Sequence, residues 1–411
     1  MDLTVALDAR YSVTPDGSVW SKIGMARSFW QRYLDVFDNV TIVARGTPIA
    51  EAPQGWLRVD GDGVVFHGIP DYHGPWECFK RYLKVRESIR SAVPARGAVI
   101  LRVSSQISNM LENELCHRKL PFAVEVIGDP YEVFAPGVVD HRLRRGFRWH
   151  FSRRLRQQCL RALGAAYVTR YALQARYPCH SPFSVSDVSL PETAFSSGAS
   201  TYYSNVEIRK DDISDSAYNP KPQGPYELVT VGSLEQLYKG TDVLIDAIAR
   251  CVRCGVDLTA TIVGGGKYQA ALMAQTVRLG MESRIRFAGW VAAGVEVQKI
   301  LDAADLFVLP SRTEGLPRAL VEAMARARPC IGSSVGGIPE LLDAPELVPA
   351  GDSAALADKI LEVLQDKKRM EAMSLRNLKV SQTYSDAILG VRRRQFYQYV
   401  RAFTEEWEKK Q

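Results

Sequence analysis

The chain has 411 residues, 46% of them hydrophobic and 24% charged, with a formal net charge of +6. Length and composition exclude a disordered or low-complexity protein and point to two domains, each able to bury a core. The mild basicity suits anionic ligands such as nucleotide phosphates, or a surface that meets anionic lipid.

Met1 and Asp2 lead straight into an apolar run, with no basic n-region and no long h-region, so export is not expected. No stretch reaches the roughly 20 apolar residues that span a bilayer. The seven cysteines are scattered and odd in number, which reads as reduced thiols in a cytoplasmic setting. Apolar β-rich runs then alternate with helical patterns, the mark of an α/β protein with parallel sheets. In the first half, strands are expected over 3–8, 40–44, 64–68, 98–103, 122–127 and 165–169. A helix is expected after Gly24, where Met25, Phe29 and Tyr33 recur at four-residue spacing.

Residues 191–225 change character. Ser196-Ser197-Gly198, Asp211-Asp212 and Pro220, Pro222 and Pro225 mark a connector, with short strand pieces over 201–203 and 206–208. The rhythm restarts with strands over 227–231, 259–263, 285–288, 306–309 and 330–332. Helices are expected over 241–254, 268–279, 295–304, 317–325 and 354–364, and the tail 385–410 is helical. The expected organisation is an N-terminal domain over 1–190, a connector, a C-terminal domain over 226–384 and a closing helix over 385–411. Both domains would be Rossmann-like and would face a central cleft. Ligands of open α/β sheets sit outside the carboxyl ends of the strands, so chemistry belongs in the loops that follow strands.

One such loop follows 306–309 and reads Pro310-Ser311-Arg312-Thr313-Glu314-Gly315-Leu316-Pro317. Pro317 suits a first helical turn, and the free N–H groups of Gly315 and Leu316 would face sugar hydroxyls or phosphate oxygens. Glu322, inside that helix, can hold a ribose diol by two hydrogen bonds. A second loop follows 227–231 and runs from Gly232-Ser233 to Lys239-Gly240. A lysine beside a glycine at a helix start can place a point charge on a diphosphate.

These loops resemble glycosyltransferase family 4, the retaining enzymes of the GT-B fold. The resemblance runs over 226–381. It includes Thr261-Ile262-Val263-Gly264-Gly265-Gly266, Arg286-Phe287-Ala288-Gly289-Trp290-Val291 and Gly336-Gly337-Ile338-Pro339-Glu340, with Glu314 and Glu322 as the family's E-x7-E pair. It implies that Glu314 holds donor-sugar hydroxyls beside the Gly315 and Leu316 amides, that Glu322 holds the ribose and that Lys239 stabilises the diphosphate. It also implies that Gly289, Trp290 and Val291 flank the base, that Gly232, Ser233 and Gly264 border the donor, and that Gly24 lets the first domain pass close to the diphosphate.

Two departures stand out. Ser233 replaces a common arginine, so Lys239 acts alone or with Arg312 or Arg318. The loop Gly128-Asp129-Pro130-Tyr131-Glu132 lacks a common histidine, and Asp129 is the candidate for its neighbourhood, against a plain turn role. The implied reaction moves a sugar from a nucleotide-diphosphate sugar, UDP-linked first and GDP-linked second, to a glycan or lipid-linked acceptor of cell-surface polysaccharide synthesis. No metal or other cofactor is expected. A sugar-nucleotide-binding protein and a GT-B epimerase are the alternatives.

Three further signals compete. Asp60-Gly61-Asp62 is a D-x-D that also reads as a turn, and Cys251 and Cys254 form a C-x-x-C within a helical pattern. The segment 142–161 carries eight arginines and no acidic residue, interleaved with Phe147, Trp149, Phe151 and Leu155. It reads as a membrane-facing basic surface, or as a solvated helix whose aromatics pack inward. No nucleic-acid recognition motif accompanies it.

Overall fold

A computed structural model describes residues 1–22, 24–136, 138, 141–179, 200–203 and 208–411. The Ser196-Ser197-Gly198 signal and residues 206 and 207 of an expected strand lie outside the described residues.

The first sheet is built on β1 (Leu3–Val13), with β3 (Val40–Pro48) and β5 (Val64–Pro70) on one side. On its other side follow β6 (Ala98–Val103), β7 (Ala123–Val126), β8 (Ala165–Tyr167) and β9 (Ser200–Tyr202). All seven run parallel. The short β2 (Val19–Ser21) pairs antiparallel with the last two residues of β1, and β4 (Leu57–Arg58) pairs antiparallel with β2. Strand β9 falls within the stretch read as a connector and joins the first sheet.

Successive residues of a strand point to opposite faces. Leu3, Val5 and Leu7 pack under α1 (Arg27–Leu34), whereas Ala6 packs with residues of α3 (Tyr82–Ala92), α4 (Gln106–His117) and α6 (Arg144–Arg161). Short helices α2 (Gly74–Lys80), α5 (Pro130–Val133) and α7 (Ala172–Arg176) follow β5, β7 and β8 at their carboxyl ends. All six residues of β6 are buried, as expected where helices cover both faces of a parallel sheet.

The second sheet has six parallel strands in the order β12-β11-β10-β13-β14-β15. These are β10 (Tyr226–Val231), β11 (Leu258–Val263), β12 (Ile285–Gly289), β13 (Leu306–Leu309), β14 (Cys330–Ser333) and β15 (Leu347–Val348). Helices α8 (Thr241–Arg253), α9 (Gln269–Arg278), α12 (Ser353–Gln365) and α13 (Lys367–Gln382) cover one face. Helices α10 (Val295–Ala303) and α11 (Arg318–Ala325) cover the other.

The last helix, α14 (Asp386–Lys409), lies on the first domain. The Tyr399 hydroxyl donates to the Leu163 carbonyl at 2.8 Å and Gly97 N–H donates to Glu408 at 2.7 Å. Tyr397 enters a buried cluster beneath the sheet. There Glu125 Oε2 accepts from Arg102 at 2.6 Å and Tyr33 at 2.9 Å, while Oε1 accepts from Tyr203 at 2.7 Å and Tyr397 at 2.9 Å.

Candidate active site

The carboxyl ends of β10 and β13 bring the two sequence-marked loops together. After β10 the chain makes one 3-10 turn, Leu237–Lys239, and Gly240 starts α8 with φ +69°. A Cβ at Gly240 would stand 2.0 Å from the Pro310 carbonyl oxygen, so only glycine lets the turn seat against the β13 loop. Arg312 fixes that seating. Its guanidinium makes a two-pronged pair with Asp242 at 2.8 and 2.7 Å and donates to the Leu237 carbonyl at 2.7 Å. Arg312 thus holds the two loops together.

Lys239 Nζ lies 2.6 Å from Glu314 Oε1, and the Ser311 hydroxyl donates to the same oxygen at 2.7 Å. Glu314 Oε2 has no partner among the described residues. The pair is largely shielded, with the lysine side chain 17% exposed and the glutamate 7%. Gly336 approaches so closely that a Cβ there would stand 1.9 Å from the Glu314 carbonyl oxygen, at a φ of +52°. Gly337 N–H donates to the Gly315 carbonyl at 2.8 Å. The motif Gly336-Gly337-Ile338-Pro339-Glu340 thus forms the floor of the Glu314 loop.

The Gly232 backbone packs on the Lys239 stem, and Gly264 N–H donates to the Gly289 carbonyl at 2.8 Å. Trp290, 63% exposed, lays its indole over Gly265, and Val291 is half-buried beside it. The Ser233 hydroxyl accepts from Glu235 N–H at 3.2 Å, a contact within its own loop. These residues form one wall at the ends of β10 to β12.

Pro317 sits at the cap, one position ahead of the first helical turn expected for it. Glu322 stands in α11 and accepts from Arg318 Nε at 3.0 Å. Burial raises the Glu322 carboxyl above its usual range, and Arg318 opposes that. Glu322 and Arg318 line a 410 Å³ cavity with Arg209, Asp212, Gln298 and Arg326. Arg209 and Asp212 come from the segment read only as a connector. Sequence reasoning missed them, and nothing in their local pattern signals a site.

The first domain meets this loop directly. A Cβ on Gly315 would lie 3.2 Å from the Ile127 carbonyl oxygen, and Leu316 packs against hydrophobic cores of both domains. Glu340 reaches across and accepts N–H groups of Arg170, Tyr171 and Ala172 at 2.5, 2.9 and 2.7 Å. Gly24, with φ +62°, lies in the loop entering α1, which begins at Arg27, and its carbonyl accepts from the Ser21 hydroxyl at 2.8 Å.

Asp129 takes up the turn position that its sequence context offers. It caps α5 by accepting from Tyr131 N–H at 2.9 Å, accepts from the Tyr177 hydroxyl at 2.5 Å and pairs with Arg176. Burial and this carboxylate push the Tyr177 phenol up, so it stays a donor. With these three partners and 6% exposure, Asp129 holds the turn and the helix start in this structure.

The competing motifs also resolve. Asp60 accepts from Val19 N–H at 2.9 Å and Arg58 at 3.1 Å, which makes the D-x-D a turn. No metal-holding cluster occurs among the described residues. Cys251 is buried and Cys254 exposed, both are free, and burial raises the Cys251 thiol to about 12. In α6, Phe147 and Phe151 pack on Phe134. Arg154 and Arg161 pair with Glu112, and Arg148 lies over the Tyr131 ring. Trp149 stays exposed. No described helix is long and apolar enough to cross a membrane.

Residues 225–366 match the family described as Glycosyl transferases group 1. Over 375 residues the chain is 24% identical to Protein CapJ of Staphylococcus aureus, covering 87% of this chain and 88% of CapJ. It is 35% identical over 150 residues to the amylovoran biosynthesis glycosyltransferase AmsK of Erwinia amylovora, covering 34% of this chain and 36% of AmsK. The crystal structure of Anabaena Alr3699/HepE in complex with UDP-glucose superposes with a TM-score of 0.58 at 16% identity, and the match covers 100% of both chains. With two Rossmann-like domains facing a cleft and the family match centred on the Lys239 and Glu314 loops, the protein is a glycosyltransferase of the GT-B fold.

Proposed function

We infer that the enzyme takes a sugar from a nucleotide-diphosphate donor and passes it, with retention, to a glycan or lipid-linked acceptor of cell-surface polysaccharide synthesis. A UDP-sugar is the first candidate and a GDP-sugar the second. The Lys239–Glu314 contact carries this reading. Glu314 Oε1 is already anchored by Lys239 and Ser311, which leaves Oε2 to accept a donor-sugar hydroxyl. The Lys239 ammonium has further N–H donors for the diphosphate. The Gly315 and Leu316 amides border the same space, Glu322 faces the ribose, and Trp290 with Val291 flanks the base.

The chemistry asks for positioning and charge stabilisation more than for a fixed nucleophile. The bond from the anomeric carbon to the diphosphate oxygen breaks. The acceptor oxygen bonds to the same face of that carbon, and its proton passes to the departing phosphate oxygen. The amylovoran name of one relative and the UDP-glucose in the HepE crystal support the donor and setting. A cytoplasmic site at the inner membrane face, with the free arginines of α6 toward anionic lipid, fits a lipid-linked acceptor.

The test is nucleotide release from a panel of UDP-, GDP- and ADP-sugars, with NMR of the new glycosidic bond. Retention requires the donor's own anomeric configuration in the product. Inversion, or release from no donor in the panel, would overturn the reading.

A further inference from the structure

The helical elbow α2–α3 carries a surface that neither the fold nor the cleft uses. Trp76, Phe79 and Leu83 follow one another at three- and four-residue spacing and are 67%, 73% and 77% exposed. Tyr82 beside them is 46% exposed. The Trp76 and Phe79 rings stack with centroids 6.0 Å apart. The opposite side of the elbow is occupied, since Cys78, Val85 and Ile89 are buried against the first sheet. Soluble surfaces scatter exposed large apolar groups singly; a contiguous aromatic stripe marks a contact face.

The charges around the stripe say what it contacts. Lys80, Arg81, Lys84 and Arg86 flank it, against Glu77, which is turned back to cap α2 at His73 N–H at 2.7 Å, and Glu87, one position beyond Arg86. Lys80 lies over the Trp76 ring, and neither Lys80 nor Lys84 has a carboxylate partner among the described residues. A tryptophan and a phenylalanine ringed by unpaired lysines complement an anionic bilayer surface, where the ring enters the interface and the ammonium stays with the headgroups.

Position agrees. The elbow follows β5 at its carboxyl end, the end of the first sheet whose other loops, after β7 and β8, meet Gly315 and Glu340. We propose that α2–α3 is the membrane-docking element of this enzyme, inserting Trp76, Phe79 and Leu83 into an anionic phospholipid surface and holding the cleft near the bilayer. The proposal rests on the lipid-linked acceptor reading above.

The test uses the full chain and vesicles of phosphatidylcholine with and without phosphatidylglycerol. The variant Trp76→Ser/Phe79→Ser/Leu83→Ser changes only exposed groups, so its melting temperature should match the wild type. Its partitioning onto phosphatidylglycerol vesicles should fall about tenfold or more. Brominated-chain lipid should quench wild-type tryptophan fluorescence and quench a Trp76→Phe variant less. Changing Arg144, Arg145, Arg153 and Arg156 of α6 to glutamine should have the smaller effect.

Equal binding by the triple variant, quenching unchanged by Trp76→Phe, or no wild-type binding to either vesicle would overturn the proposal. So would a variant that loses only self-association in sedimentation velocity, since the stripe would then face a second copy. Nucleotide release with a soluble acceptor is read in parallel. Its persistence in the triple variant keeps the donor reading separate from the docking one.

Discussion

Lys239 Nζ and Glu314 Oε1 stand 2.6 Å apart, although 75 residues separate them in the chain. The contact joins the two sequence motifs in one device: the lysine aims the carboxylate, and the carboxylate holds the ammonium at the cleft. Lys239→Ala should therefore remove the charge facing the leaving group, lowering turnover about a hundred- to a thousandfold. Glu314→Gln should act mainly on donor-sugar recognition. The two effects should be strongly non-additive, because each residue positions the other. Steady-state nucleotide release for both single variants and the double variant checks this. Turnover of Lys239→Ala within threefold of wild type would sink it.

Glu322 offers a pH test. Burial raises its carboxyl, with Arg318 opposing. A group bound more tightly to its proton in the folded state contributes stability that is present below its unfolded value near 4.5 and is lost as pH rises through the folded value. Glu322→Gln should then be no less stable than wild type at neutral pH, and its relative advantage should vanish toward pH 4. Its nucleotide affinity should fall, since an amide is a poorer acceptor for a ribose diol. Thermal melts across pH, with and without UDP, separate the two effects. A variant that loses stability at neutral pH contradicts the burial argument.

Asp129 should behave as a cap. Asp129→Ala removes partners of Tyr131 N–H, Tyr177 and Arg176 together, which should cost about 1–3 kcal/mol of stability. Turnover per folded molecule should change little. A large fall in turnover with an unchanged melting temperature would restore the residue to the chemistry.

Legibility follows from what is local. The strands were readable because runs such as Leu306–Leu309 are buried on both faces, and the loop after them because its helix start lies in the sequence itself. The partners of those residues were not. Nothing near Asp129 announces Tyr177, and nothing near Arg312 announces Asp242, since both contacts form only when separate strand ends meet. Ser311 could have been suspected, three positions before Glu314 in the same loop. Arg209 and Asp212 could not, because a proline-rich connector gives no period to read.

Glu340 carries an interdomain prediction. Its carboxylate accepts three N–H groups of the first domain, from Arg170, Tyr171 and Ala172. Charge-assisted bonds of this kind are among the stronger polar contacts, though solvent access weakens them here. Glu340→Ala should loosen the seam, raise the radius of gyration in small-angle scattering and raise the donor KM more than it lowers kcat. Unchanged scattering together with unchanged KM would mean that the other contacts, the Leu316 packing and the docked α14 among them, hold the domains.

The buried cluster under the first sheet makes the sharpest stability prediction. Burial alone would raise Glu125, but Arg102 and the hydroxyls of Tyr203, Tyr397 and Tyr33 outweigh it and hold the carboxyl below its usual range. The sign is then opposite to Glu322. The stability it contributes is present above the unfolded value near 4.5 and is lost as pH falls through the folded value. Glu125→Gln leaves Arg102 buried without its counter-charge and should cost about 3–5 kcal/mol. Tyr397→Phe removes one neutral donor from the same carboxylate and should cost about 1 kcal/mol. Because Tyr397 belongs to α14, its loss should also speed amide exchange along that helix, whereas a Glu125→Gln defect should spread through β6 and β7. Calorimetry across pH and hydrogen exchange read both. Equal melting temperatures for wild type and Glu125→Gln at neutral pH would show that the buried Glu125–Arg102 pair adds nothing net to stability.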